Sequence, residues 1–148
     1  MSATNAFETS LLQHIFQNAA IANIGDATGL PASATAGSLY VSLHTADPGE
    51  AGAQNTSEAA YTGYARQAVA RSGAGWVVSG NNASNAAAVA FGPCTAGTAT
   101  VTHFGIGTAS SGAGNLLFKG PLTASFTVTT TSNATLTFAI GALDVDVD

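Results

Sequence analysis

The chain has 148 residues, enough to bury a sizeable core and short enough for one domain. Only 7% of its residues are charged, 46% are hydrophobic with much of that share alanine, and the net charge is −5. These totals exclude a disordered chain, which joins high net charge to few apolar residues. They also exclude partners that need a basic surface, nucleic acid and anionic membrane alike, because Arg66, Arg71 and Lys119 are the only cationic side chains.

So few charges leave a free surface poorly protected against self-association, which implies that companion subunits cover much of it. Cys94 is the single cysteine, so there is no disulfide framework and no multi-cysteine zinc site; it reads as a small buried thiol. No segment approaches the ~20 apolar residues of a membrane span, and residues 1–24 lack the basic start of a signal peptide.

In chain order, "NAFETSLLQHIFQNAAIANI" predicts the one helix. Phe7, Leu11, Leu12, Ile15 and Phe16 recur at three- and four-residue spacing and form an apolar face, the expected interface with a neighbour. Thr4 or Asn5 is the expected cap, and Glu8 suits the positive helix start. Residues 25–37 read as a loop, so 1–37 form an N-terminal helix and loop, an arm before a β-sandwich over 38–148, with a single domain overall.

From Ser38 the period becomes two. "SLYVSLH" sets Leu39, Val41 and Leu43 on a core face and turns Tyr40, Ser42 and His44 outward. A long polar loop follows. "YARQAVAR" and "GWVVSG" predict a hairpin across residues 72–75, and "SNAAAVAF" aligns Val89 with Phe91. "ATVTHFGIGT" is a strand, "ASSGAGN" a hairpin turn, and "LLFKG", "TASFTVTTT" and "ATLTFAIG" further strands. In "ALDVDVD", Leu143, Val145 and Val147 face one way and Asp144, Asp146 and Asp148 the other. The fold class is all-β: an antiparallel sandwich or jelly roll of eight to nine short strands with one N-terminal helix. Trp76, Val78, Phe104, Ile106, Leu117, Phe126, Val128, Leu136, Phe138 and Leu143 complete the expected core.

Chemistry-bearing motifs are sparse. His44, Asp47 and Glu50 lie within seven positions, but Asp47-Pro48-Gly49 is turn chemistry, and a metal would need ligands converging from several segments. His14 lies in the helix and His103 in a strand, and no nucleophile-elbow motif accompanies them. "DVDVD" alternates with valines on an extended backbone, unlike a calcium loop, and reads as a solvated face guarding a sheet edge. Asn55, Asn82 and Asn133 are sequons of the kind that an Asn-, Ser- and Thr-rich chain contains by chance. The expectation is no catalytic, cofactor-binding or metal-ligating residue, and no enzyme.

Four stretches carry a resemblance: "FETSLLQHIF", "LYVSLHTADPGEAG", "YTGYARQAVAR" with "GWVVSGNNASNAAAVAF", and "VTHFGIGTASSGAGNLLFKGPLT" with "FAIGALDVDVD". Together they resemble a family of small virion proteins of tailed bacteriophages, labelled tail-fibre-like or minor tail proteins. The resemblance implies a virion structural protein and supplies no catalytic residue. The leading expectation is a capsid decoration (cement) protein that stabilises the head lattice through apolar and backbone contacts. Its partners would be the major capsid protein or other virion subunits, with self-association as a dimer or trimer. It would reside in the virion after assembly in the host cytoplasm. The alternative is a tail-fibre or baseplate-associated host-recognition module, which would expose Tyr61 and Tyr64 on loops.

Overall fold

The computed structural model describes residues 2–131 and 135–147. Asn133 and Asp148 lie outside them. The elements are α1 (Asn5–Gln17), β1 (Ser38–His44), β2 (Gln67–Ala70), β3 (Trp76–Ser79), β4 (Asn82–Asn85), β5 (Val89–Ala90), β6 (Thr98–Gly107), β7 (Leu116–Thr129), β8 (Thr137–Phe138) and β9 (Asp144–Asp146). The pairings described are antiparallel, in sheets ordered β2-β1-β6-β7, β3-β4-β9 and β5-β8. Among the described residues this is the expected all-β class with one N-terminal helix, and no barrel closes. The chain groups into two compact units: Met1–Ser38, Val69–Val89 and Phe138–Asp148 in the first, Leu39–Ala68 and Ala90–Thr137 in the second.

In the first unit, α1 starts behind Thr4, whose side chain makes no capping bond, and stops at Asn18 in the left-handed region, φ 56°. Carbonyls left over at its end are met by Arg71, which donates from Nε to Ile15 O and from Nη2 to His14 O at 2.6 Å each, while Nη1 donates to Ala36 O in the following loop at 3.1 Å. A cation there also opposes the negative end of the helix dipole. Leu12 and Phe16 are fully buried, and Phe16 meets Trp76 with ring centroids 4.6 Å apart. The expected hairpin between β2 and β3 does not form. Ser72 O accepts from the N–H groups of Gly75 and Trp76, a closed turn that ends β2, and β3 instead pairs with β4 across Gly80 and Asn81. Gly80 has φ +62°, the left-handed conformation that such a two-residue hairpin loop requires. On β9, Val145 faces in, as does Leu143 just before it, Asp144 and Asp146 face out, and the strand lies at the sheet edge as expected.

In the second unit, β1 and β6 are the central strands. The predicted strands "LLFKG" and "TASFTVTTT" are one strand, β7, with two irregularities. Ile106 pairs with Phe118 and Gly107 with Leu116, so Leu117 is an extra residue in a bulge. That turns Leu117 out at 42% exposure and corrects its expected place in the core. His103 pairs with Pro121 and Val101 with Phe126, leaving residues 122–125 opposite Thr102 alone. Val78 and Phe126 are only half-buried; the other expected core residues are buried.

Candidate functional site

The second unit holds a buried polar network where the sequence led us to expect an outward-facing strand side. β1 carries Ser42, Leu43 and His44, all with no exposed surface. Both faces of the strand end are covered because residues 45–66 return along it: Thr45 N–H donates to Ser57 O, Ala59 N–H donates to Leu43 O, and His44 bridges to Glu58. His44 therefore points inward, correcting the outward placement. Strand alternation assumes one wet face, and here the loop removes it.

Inside, His44 Nδ1 lies 2.8 Å from Thr56 O and Nε2 lies 2.9 Å from Ser42 Oγ. A carbonyl only accepts, so Nδ1 carries the proton and Nε2 accepts from the serine hydroxyl. Burial pulls the imidazole below the usual histidine range, partly offset by the Thr56 bond and the Glu58 charge. The pair sits over Gly105, where a Cβ would come within 2.6 Å of Leu116 Cδ1, 2.7 Å of His44 Nε2 and 2.9 Å of Ser42 Oγ. The arrangement has serine–histidine chemistry in outline, but the hydroxyl is sealed from solvent. What the geometry provides is a brace between β1, β6 and the returning loop.

Beside it, Arg66 grips Glu58 bidentately, Nε to Oε1 and Nη2 to Oε2 at 2.7 Å each, and Tyr64 donates to the same Oε1 at 2.7 Å. Tyr64 Oη accepts from Leu43 N–H at 3.1 Å, and burial pushes its hydroxyl well above the usual range, so it stays a donor. Two further guanidinium N–H groups donate to Ala109 O at 2.8 Å and Gly112 O at 2.6 Å. Gln54, fully buried, adds a second fastening: it accepts from Ala109 N–H and donates to Tyr40 O, while its own N–H donates to Ala113 O. The glycine-rich connection between β6 and β7 is thus the expected hairpin turn, held in one conformation by Arg66 and Gln54. Sequence reading missed these organisers. The available signal was that a chain with three basic residues commits an arginine to a partner, and Glu58 lies eight positions before Arg66.

The other candidates fall as follows. Asp47 and Glu50 do converge, on Lys119 Nζ at 3.1 and 3.0 Å, at the surface. The Asp47 carboxyl is held below its usual range by the Gly49 N–H and then by Lys119. His103 Nδ1 lies 2.9 Å from Thr102 Oγ1, and His14 Nδ1 lies 2.7 Å from Ala19 O. Among the described residues, no group of three or more His, Cys, Asp or Glu side chains is disposed to hold a metal ion. Cys94 is buried with Sγ toward Ala96 O and Gly97 O. Asn55 is exposed, and Asn82 donates to both Asp144 and Asp146. Along α1, Phe7 is exposed, Leu11 and Ile15 are half-buried, and Leu12 and Phe16 belong to the core of their own unit. Tyr61 is buried with its hydroxyl donating to Gly92 O, and Tyr64 stacks on Phe91 at 6.0 Å. The expected pair of open aromatic loop residues is therefore corrected: both rings are needed inside the unit.

Set against known families, residues 2–146 match a family model described as Podophage GP4 fiber I protein gp80. No curated protein matches the chain.

Proposed function

The chain belongs to the Podophage GP4 fiber I protein gp80 family and is a bacteriophage virion component, and from that premise we propose that it is a non-enzymatic structural subunit of the tail-fibre apparatus. The observation that carries this reading is the family match along nearly the whole chain, which favours a fibre over the head lattice as the place of attachment. The polar residues support a structural role. The serine–histidine pair is sealed, and the arginine–glutamate pair fixes loops. Tyr61 and Tyr64 offer no aromatic platform for a host glycan, so the subunit joins other virion proteins by packing and does not itself read sugars.

Cryo-EM of intact particles carrying a tagged copy of the chain tests this. Tag density is expected at the tail fibres. Tag density confined to the head surface would instead establish a decoration protein and sink the proposal.

A further inference from the structure

Residues 46–56 form a closed loop in the second unit. Its base is tied at Thr45, whose N–H and hydroxyl both donate to Ser57 O, at 2.8 and 3.1 Å. Inside the loop, Ala53 N–H donates to Thr56 Oγ1, Thr56 N–H to Ala53 O and Gly52 N–H to Gly49 O. A compact loop with joined ends and its own internal bonds can move as one piece. Three fastenings hold it down. Lys119 on β7 pairs with Asp47 and Glu50. Gln54 is bonded to Tyr40 O, Ala109 N–H and Ala113 O. His44 Nδ1 donates to Thr56 O.

Of these, the His44 fastening is built around a neutral ring. Both ring nitrogens meet uncharged groups, the Thr56 carbonyl and the Ser42 hydroxyl, in a site with no exposed surface. A second ring proton would place a cation there, and the charged and titratable groups that face it offer no free counter-ion. Glu58, just past the loop, is already gripped by Arg66 and Tyr64. Arg66 is itself a cation, and His103 stands directly across from His44 on β6. If the ring nitrogen becomes a donor, the Ser42 hydroxyl must turn its own proton to Gly105 O, 3.4 Å away. Gly105 also closes the floor, so the ring has no space into which to shift. A buried charge without a partner is costly, and lifting the loop returns it to water.

We propose that residues 46–56 are an acid-released strap with His44 as its latch: a proton on the ring lifts the loop while the sheet beneath stays folded. The device belongs to the fold and does not rest on the fibre role. Its sign follows from linkage. With the strap lifted, the ring takes up its proton near the ordinary 6.5; with the strap down, burial moves that uptake to lower pH. The closed form is therefore fully favoured above about pH 6.5, and the lifted form gains below it by up to about tenfold per pH unit. The Asp47 carboxyl, held below its usual range by the Gly49 N–H and Lys119, stays ionised at about pH 5. The Lys119 end is thus the pivot, and the end carrying Gln54 and Thr56 swings.

Amide hydrogen exchange of the full chain, read by NMR and corrected for the intrinsic effect of pH, tests this. The reporters are the N–H groups of Gln54 and Ala109, whose bonds cross between the loop and the β6–β7 hairpin. Between about pH 7.5 and about pH 5 their protection should fall roughly tenfold, while that of residues 101–106 on β6 changes less than about threefold. His44→Gln should abolish the fall, and His103→Gln should leave it in place. The His44 ring signals of the parent give a check that needs no variant: they should titrate with the same midpoint as the loss of protection. Reporter protection that stays constant over this range overturns the strap. So does an equal loss on β6, which would be unfolding of the whole unit. A fall that persists in His44→Gln, disappears in His103→Gln, or departs from the His44 titration overturns the latch.

Discussion

At the scale of single residues, His44 shows how a side chain changes meaning when a loop covers it. Strand alternation set it opposite Leu43, and that much was legible; the return of residues 45–66 over that face was not, because its contacts lie more than ten positions along the chain. The neutral, buried imidazole has a pH consequence. Unfolded, the group takes up a proton near its ordinary value of 6.5; folded, burial moves that uptake to lower pH. As pH falls through this window the unfolded state binds more protons, so stability is full above about 6.5 and declines below it. Chemical denaturation of the parent should therefore show a lower midpoint at about pH 5.5 than at about pH 7.5, and His44→Gln should flatten that difference. An equal slope in both proteins would mean that another group titrates.

At the scale of elements, the alternating runs were readable as strands, and the strand-forming stretches fall where β1, β6, β7 and β9 lie. Which strand pairs with which was not readable where a turn intervened. Residues 72–75 have hairpin composition, yet Ser72 O closes a turn that ends β2, while Gly80 at φ +62° makes the hairpin one strand later. Strand periodicity also cannot register an inserted residue, which is why Leu117 was assigned to the core. The hairpin between β6 and β7 carries a sharper prediction. Its carbonyls are held by Arg66, whose pairing with Glu58 is nearly enclosed. Arg66→Met should destabilise the protein by about 3–5 kcal/mol, since it strands a partly buried carboxylate. The double variant Arg66→Met, Glu58→Gln should recover part of that loss. Denaturant titration of the two variants and the parent measures both, and hydrogen exchange of residues 108–114 should rise in each variant.

At the scale of the whole molecule, charge scarcity proved the most informative number in the sequence. It foretold a protein that lives among companions, and the family match agrees. It did not reveal that all three cations are engaged internally, because sequence cannot show which carboxylate each one meets. Few exposed ionic groups remain to form contacts with other subunits, and contacts made by packing respond little to salt. Retention on particles should accordingly change less than about tenfold between roughly 50 and 500 mM sodium chloride, measured by sedimentation and quantitative blotting. A steep loss would point to an ionic interface elsewhere. The irregular stretch of β7 bears on the same scarcity. With Pro121 unable to donate and residues 122–125 out of step with β6, the rim of this sheet offers a stray strand no unbroken ladder to extend. A protein with so few charged side chains thereby gains a steric defence against fibrillar stacking.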